Sequence, residues 1–329
     1  MKAIVRHRYG TADVLELASL PKPAPSGNDV LIRIRAAALN PLDWHMMRGS
    51  PWFLRLFTGL RKPKSFRMGV DVAGTIVGLG SGESEFRLGD EVFGAVDGAL
   101  AEYVCGPASG LVRRPANVSA EDAASIPVAG LTALQALRDK GHITPGDTVL
   151  INGAAGGVGT FAIQIAKWLG AKATGICSTR NVDLVLSLGA DSAIDYTRED
   201  FANRGERYNV ILDFVGNRSL SDFRKVLKPK GIFVGCGGGG PDTPAGKLLF
   251  GVLKQMASNW FTRQTLTGIL AKRNKSDLEV LSELLRNGLI KPVIDRRYQL
   301  CEVPEAIRYL ERGHARGKVV IAIGELSTS

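Results

Sequence analysis

The sequence predicts an α/β protein that combines a doubly wound parallel sheet with a smaller β-rich domain. Three observations predict this class: a glycine-rich junction between a strand and a helix at residues 148–170, regular alternation of strands and helices after about residue 121, and short, turn-punctuated strands before it. A chain of 329 residues, of which 45% are hydrophobic, is long enough for two such domains.

The glycine-rich junction is the most informative stretch. Residues 148–152 form a short apolar run with β-branched side chains, residues 153–159 read GAAGGVG, and an amphipathic helix follows until Gly170. The first N–H groups of such a helix have no partner within it, and the missing side chains let a pyrophosphate approach the backbone. We therefore expect a dinucleotide here. A glycine-rich connection that only packs a helix on a strand is the alternative.

Two glycine registers fit this turn. In the first, Gly153, Gly156 and Gly159 line it, and in the second Gly157, Gly159 and Ala162 form a G-x-G-x-x-A pattern. Both registers predict the same site. To it we assign Gly153, Gly156, Gly157, Val158 and Gly159.

The alternating part of the chain has the periodicity of a six-stranded doubly wound sheet. We expect its strands at 148–152, 172–178, 192–196, 209–215, 232–236 and 262–270, with later helices at 180–188 and 219–227. Before it, runs such as 29–38 and 69–79 predict a compact β-barrel, which residues 318–323 return to complete. The predicted domains are 1–123 and 270–329 for the barrel and 124–269 for the dinucleotide-binding sheet.

Composition and charge exclude several classes of protein. The net charge of +10 comes from Lys and Arg scattered along the chain, without the basic tail typical of nucleic-acid binding. Four widely separated cysteines without a C-x-x-C pair favour a reducing cytoplasm. No export signal is visible, and no apolar stretch approaches the ~20 residues of a membrane span. We therefore expect a soluble protein with no nucleic-acid and no membrane partner.

The strand after the glycine turn indicates which dinucleotide binds. A carboxylate at its end would bind the 2′-hydroxyl of NAD, but this strand ends in Ser178 and Arg180, which suit the 2′-phosphate of NADP. Tyr196, at the end of the next strand, can line the adenosine. The alternatives are that Ser178 caps the following helix, that Arg180 is only solvated, and that Tyr196 packs. We predict NADPH.

Landmarks in the same order along nearly the whole chain resemble the medium-chain dehydrogenase/reductases, in the zinc-lacking quinone oxidoreductase and enone reductase branch. They are residues 40–44 (NPLDW), 69–74 (GVDVAG), 88–92 (LGDEV), 130–133 (GLTA), 153–159 and 315–320 (ARGKVV). The resemblance implies a GroES-like barrel built from both chain ends, a Rossmann domain between them and an active site in their cleft.

The resemblance also implies that catalytic zinc is absent. Zinc-dependent relatives have Cys where this chain has Asn40, and Gly-His-Glu where it has Gly69, Val70 and Asp71. Without a metal to polarise an alcohol or carbonyl, hydride addition to a quinone or an α,β-unsaturated carbonyl is favoured. A zinc-type alcohol dehydrogenase and a non-catalytic NADPH-binding sensor are the alternatives.

Several residues take roles from this resemblance. Thr132 and Cys236 are expected near the nicotinamide, and Lys318 is assigned to the cofactor site. Asn40 is expected to donate a hydrogen bond to a developing enolate oxygen, or to form only an Asn-Pro turn. Asp43 orients the ribose or loop, or caps a helix.

His45 is a candidate proton relay or a surface histidine, and the final proton can also come from water. We also expect a homodimer. One set of apolar residues either lines a substrate pocket or belongs to the core: Trp44, Trp52, Phe53, Leu54, Leu56 and Phe57. Residues 248–261 either cover the cleft or form a subunit contact.

Overall fold

The computed structural model describes residues 1–236 and 263–324, which form two compact units. One comprises Met1–Val128 together with the chain from Arg273 onward, and the other comprises Ala129–Lys272. The sequence places the boundaries a few residues earlier, at 123/124 and 269/270. The glycine tract 237–240 and the segment 248–261 lie outside the described residues.

The unit Ala129–Lys272 is built around a six-stranded parallel sheet in the order β10-β9-β8-β11-β12-β13. Counted from the glycine turn this is the order 3-2-1-4-5-6 of a doubly wound dinucleotide-binding fold, which confirms the predicted class. The strands are β8 Thr148–Asn152, β9 Lys172–Cys177, β10 Ser192–Asp195, β11 Tyr208–Asp213, β12 Leu227–Gly235 and β13 Thr265–Gly268.

The helices of this unit flank its sheet. In its core the rings of Phe201, Phe223 and Phe233 contact one another, in an apolar cluster that includes Ile211 of β11. The helices are α4 Pro127–Gln135, which starts in the other unit and runs into a π-helical turn, α5 Gly157–Trp168, α6 Val182–Ser187 and α7 Leu220–Val226. β12 begins five residues before the predicted Ile232, because Leu227 already pairs with Tyr208 and a register shift absorbs the residues around Pro229.

The other unit is a mainly antiparallel β structure. Its larger sheet has the order β14-β15-β3-β4-β5-β7, β6 also pairs with β3, and β1 and β2 form a separate pair. Its strands are β1 Lys2–Val5, β2 Glu16–Ser19, β3 Asp29–Leu39, β4 Asp71–Leu79, β5 Glu91–Ala95, β6 Tyr103–Pro107, β7 Leu111–Arg113, β14 Ile294–Gln299 and β15 Lys318–Ala322. Its other helices are α1 Pro41–Arg48, α2 Arg55–Thr58, α3 Ala120–Ala124, α8 Lys275–Arg286 and α9 Val303–Glu311.

The last strand is an interior member of this sheet. β15 pairs antiparallel with β3, with Val319 opposite Leu39, and parallel with β14. Because β3 ends at Leu39, this register brings the start of β15 beside Asn40. None of the helices in the described ranges is both long and apolar enough to cross a membrane.

Candidate active site

The glycine turn after β8 has the geometry of a phosphate cradle. Gly156 is the N-cap of α5, and the amide of Thr160 makes the first bond back into the helix, to the Gly156 carbonyl at 3.0 Å. The N–H groups of Gly157, Val158 and Gly159 therefore precede the first helical hydrogen bond and point off the positive end of the helix. Gly156, Gly157 and Val158 are partly exposed, so an anion can reach them.

Two glycines of the turn cannot be replaced without strain, and they identify its register. Gly153 has φ +84°, and a Cβ on Gly159 would lie 2.1 Å from the Gly153 carbonyl oxygen. A Cβ on Gly156 would meet that oxygen only at 3.3 Å. Gly153 thus makes the turn and Gly159 lets α5 pack onto it, which is the first of the two registers.

The predicted adenosine-binding residues lie at one edge of the sheet. β9 and β10 are parallel neighbours with Cys177 opposite Asp195, so Ser178 and Tyr196 follow adjacent strand ends. Ser178 is partly exposed and its Oγ accepts a hydrogen bond from Asn181 Nδ2 at 3.2 Å, while Arg180 and Tyr196 are exposed. The sequence analysis missed Arg198, a second exposed guanidinium at this edge, 3.5 Å from the Asp195 carboxylate.

Buried polar side chains join the two central strands at the same edge of the sheet. Asn152, the last residue of β8, donates to Asp213 Oδ1 at 2.8 Å and to Asn217 Oδ1 at 3.1 Å. Asp213, the last residue of β11, also accepts the N–H groups of Val215 and Gly216. The strand order reverses between β8 and β11, where such folds bind ligands, and this network fixes the loop there. The sequence analysis missed it; the signal was a polar residue ending each of two apolar strands.

The two residues expected near the nicotinamide both belong to the unit Ala129–Lys272. Thr132 is buried on α4, and Cys236 directly follows β12, with its N–H donating to the Asp213 carbonyl. Burial, and then the nearby Asp213 carboxylate, raise the pKa of the Cys236 thiol to about 11. This thiol is therefore protonated at neutral pH and is no thiolate nucleophile.

The other unit contains a buried charged network formed by Asn40, Asp71 and Lys318, each at most 3% exposed. The Lys318 ammonium donates to Asn40 Oδ1 at 2.6 Å and to Asp71 Oδ2 at 3.3 Å. Asn40 Nδ2 donates to Asp71 Oδ2 at 2.9 Å and weakly to the Ala38 carbonyl at 3.4 Å. These partners fix which side of the Asn40 amide is oxygen and which is nitrogen. Binding of the cofactor by Lys318 stays a prediction, and its ammonium is engaged within this network.

Asp71 is held in this network from both sides. Its Oδ1 accepts the N–H of Val128 at 3.0 Å, while Lys318 and Asn40 bind its Oδ2. Burial raises the pKa of Asp71, and the Lys318 ammonium and these hydrogen bonds oppose that shift. Asp71 and Lys318 thus form a buried ion pair whose loss of hydration is partly offset by charge-assisted hydrogen bonds.

Asp43 caps the helix that carries it. Its Oδ2 accepts the backbone N–H of Asn40 at 2.7 Å, at the start of α1, and the residue is 3% exposed. This is the capping role that the sequence left as an alternative. Burial raises the pKa of the Asp43 carboxyl to about 7, with the Asp71 carboxylate acting in the same direction and Lys318 and Arg6 against it. The carboxyl therefore exchanges its proton near neutral pH.

His45 is half-buried on α1 and already oriented. Its Nδ1 lies 2.7 Å from the Ser50 carbonyl, which can only accept, so Nδ1 carries a proton and Nε2 is the nitrogen left for exchange. Its ring stacks on Trp44 with centroids 3.6 Å apart. Burial lowers the pKa of His45, so the ring is neutral at neutral pH.

The donor atoms at the metal position of zinc-dependent relatives do not fit zinc. Asn40 and Asp71 point to an ammonium group, and Val70 supplies no ligand atom. Within residues 1–236 and 263–324, no three His, Cys, Asp or Glu side chains form a group that could hold a metal ion.

Two family models match the chain. The alcohol dehydrogenase GroES-like domain matches residues 26–116, and the zinc-binding dehydrogenase domain matches residues 188–321. The first match lies within the mainly antiparallel unit, and the second extends over parts of both units.

Similar proteins match the chain over its length. The chloroplast envelope quinone oxidoreductase homolog of Arabidopsis thaliana is 33% identical, over 98% of both chains. The chloroplastic NADPH-dependent alkenal/one oxidoreductase of Arabidopsis thaliana is 34% identical over 98% of this chain and 79% of its own. The solved structure of the quinone oxidoreductase from Coxiella burnetii has a TM-score of 0.84 at 33% identity, covering 98% of this chain and 99% of that one.

Proposed function

The chain belongs to the medium-chain dehydrogenase/reductases, in the quinone oxidoreductase and enone reductase branch, and we propose that it transfers hydride from NADPH to a quinone or an α,β-unsaturated carbonyl without a metal. One observation supports a reaction without a metal. The Lys318 ammonium binds Asn40 and Asp71, which stand where zinc-dependent relatives have metal ligands. A fixed cation already neutralises the carboxylate there, so the proposed hydride transfer needs no zinc at this position.

The residues of the glycine turn fit a dinucleotide. The close approach of Gly159 to Gly153 leaves no room for side chains, and the N–H groups of residues 157–159 can bind the pyrophosphate. Ser178 and Arg180 would hold the 2′-phosphate, Tyr196 the adenosine, and Thr132 and Cys236 the nicotinamide end. Bound NADPH supplies the hydride, while the chain's own residues supply orientation and charge stabilisation.

Asn40 is proposed to stabilise the oxygen that becomes negative when hydride adds to the substrate. One amide hydrogen is held firmly by Asp71, whereas the contact of Nδ2 with the Ala38 carbonyl, at 3.4 Å, is weak enough to yield to a substrate oxygen. The Lys318 ammonium on Oδ1 polarises the same amide and makes its N–H a stronger donor. Lys318 then acts through Asn40, as a positioning residue.

The proton that completes the reduction is proposed to come from water. His45 is neutral at neutral pH and only its Nε2 is available, so it is a weak acid for this step. A His45→Gln variant is expected to keep most of its turnover. A large loss of kcat in this variant, with unchanged affinity for NADPH, would assign the proton relay to His45 instead.

The activity is tested by following NADPH and NADH oxidation with quinones, short enones and simple aldehydes, each with and without a chelator. Turnover of a quinone or an enone, undiminished by the chelator, is expected. Tight NADPH binding without turnover of any compound would favour the sensor alternative. Aldehyde reduction abolished by chelation would favour the zinc alternative.

The role of Asn40 has a separate test. Asn40→Ala is expected to lower kcat on the order of 100-fold, a typical loss for one oxyanion-binding donor, while NADPH affinity stays nearly intact. Unchanged turnover would remove Asn40 from the mechanism. Thermal unfolding checks that the Asn40→Ala variant, which keeps Asp71 and Lys318, is still folded.

A further inference from the structure

The connection between α1 and β4, which includes the short helix α2, exposes large apolar side chains. Residues 52–66, here called the apolar-basic loop, contain five of the fifteen exposed large hydrophobic residues that the structure describes. Trp52 is 64% exposed, Phe57 75% and Leu60 66%. Leu56 and Phe66 add to the surface. Trp44 belongs to the core, as one alternative predicted, whereas Trp52, Leu56 and Phe57 are exposed and do not. Their substrate-pocket role stays a prediction, and an exposed apolar cluster also marks an interaction surface.

The same loop is strongly basic. Residues 44–70 contain six Lys and Arg and no Asp or Glu. Arg61, Lys62 and Lys64 are exposed, and none of them forms an ion pair with another described residue. Positive charge and apolar side chains thus occupy one short segment.

The fold holds this loop in place with its apolar side chains in solvent. The Tyr9 hydroxyl lies 2.7 Å from both Thr58 Oγ1 and the Gly59 carbonyl. The Lys64 N–H donates to the Thr58 carbonyl at 2.7 Å, and the Arg55 guanidinium stacks on Tyr9 and bonds the Gly49 carbonyl. These bonds fix the backbone from residue 55 to 64, so the exposure of Phe57 and Leu60 is a property of the folded protein.

We propose that the apolar-basic loop docks the protein on the surface of an anionic lipid membrane. Trp and Phe are the side chains that enter the interfacial region of a bilayer, and Lys and Arg beside them attract anionic headgroups. A second copy of the chain fits less well, because a symmetric contact through this loop brings like charges together. The sequence predicts no membrane partner because no stretch can span a bilayer, but a surface-bound loop needs no such length. The inference does not depend on the proposed enzymatic activity.

The test is sedimentation of the full-length protein with vesicles of phosphatidylcholine, with and without phosphatidylglycerol, at low and high salt. Binding only to vesicles that contain phosphatidylglycerol, weakened by salt, is expected. The triple variant Arg61→Gln, Lys62→Gln, Lys64→Gln should bind roughly 100-fold more weakly, at roughly fivefold for each charge. The double variant Trp52→Ser, Phe57→Ser should also lose binding, because it lacks the apolar anchors.

Matched control variants distinguish binding through this loop from a general effect of net charge or of exposed apolar surface. A triple control variant removes the same charge from exposed positions elsewhere: Arg207→Gln, Lys230→Gln, Arg312→Gln. A double control variant removes two exposed apolar side chains: Leu88→Ser, Leu270→Ser. Both controls should bind vesicles like the unmodified protein. Absence of binding to phosphatidylglycerol, or equal losses in controls and loop variants, would overturn the proposal. So would gel filtration in which the loop variants only dissociate an oligomer, since that outcome assigns the loop to self-association.

Discussion

The two candidate binding regions are built from different parts of the chain. The glycine turn is made of backbone groups that are contiguous in sequence, from Gly153 to Gly159. The charged network is made of side chains from Asn40, Asp71 and Lys318, on three separate segments. A backbone site tolerates any substitution that leaves its dihedral angles and close contacts intact, whereas a buried ion pair is damaged by the loss of either partner. The glycine turn is therefore expected to be sensitive to substitutions that alter its close backbone contacts, and the charged network to the loss of any one charged side chain.

The largest expected effect is in the charged network. Lys318→Met leaves the Asp71 carboxylate buried without its cation, which should reduce the free energy of unfolding by about 3–5 kcal/mol in urea titrations. The double variant Lys318→Met, Asp71→Asn removes both charges and should recover most of that stability. A single variant as stable as the unmodified protein would show that the pair is not charged as described.

A methyl group at Gly159 should damage the glycine turn far more than a methyl group at Gly156. Gly159→Ala places Cβ 2.1 Å from the Gly153 carbonyl oxygen, which should cost about 3 kcal/mol of stability and greatly weaken NADPH binding. Gly156→Ala is the matched control, because its Cβ lies 3.3 Å from the same oxygen and its φ of −82° suits alanine. Thermal unfolding and NADPH titration measure both variants. Equal damage in the two would show that the close approach to the Gly153 carbonyl is not what requires glycine at position 159.

The buried Asp43 carboxyl, close to the charged network, should also make stability depend on pH. The pKa of Asp43 is about 7 in the folded protein and near 4 when unfolded, so the folded state holds this proton more tightly. Its stabilisation is complete below the unfolded pKa, is lost as pH rises through the folded pKa, and is constant above it. Between pH 5 and 7.5 we expect a decline on the order of 2 kcal/mol in urea unfolding. Asp43→Asn, which keeps an acceptor for the Asn40 N–H, should flatten that decline; an unchanged slope would assign it to other groups.

The smallest expected effect concerns cofactor choice. Arg180→Ala should weaken NADPH roughly tenfold and leave NADH nearly unchanged, because only NADPH carries the 2′-phosphate. Arg198→Ala is the control at the same sheet edge, where its guanidinium lies 3.5 Å from Asp195. Binding titrations with both cofactors decide the assignment. Equal losses of NADPH and NADH would remove Arg180 as the selector, and a larger effect of Arg198 would transfer that role to it.

Local sequence patterns specify the glycine turn but not the charged network. The glycine turn and the alternation of strands and helices along the chain follow from local patterns, namely β-branched runs, glycine spacing and amphipathic helices. The resemblance placed Asn40 in the site, but the contact of Lys318 with Asn40 depends on β15 pairing with β3, which no local pattern specifies. The bridge between Asn152 and Asp213 was missed for the same reason, since it depends on β8 and β11 being neighbours.

The interior position of β15 has a consequence for synthesis on the ribosome. The part of β3 from Ala36 to Leu39 has no strand partner on its β15 side until Lys318–Ala322 has been made, after the whole segment Ala129–Lys272. Domains generally fold in the order in which they are translated, yet here the N-terminal unit begins first and finishes last. Meanwhile β3 presents an unpaired edge, which other chains can recruit, and the Asp71 carboxylate has no Lys318 ammonium. Premature termination before Lys318 therefore yields an incomplete first unit beside a second unit whose sequence is complete.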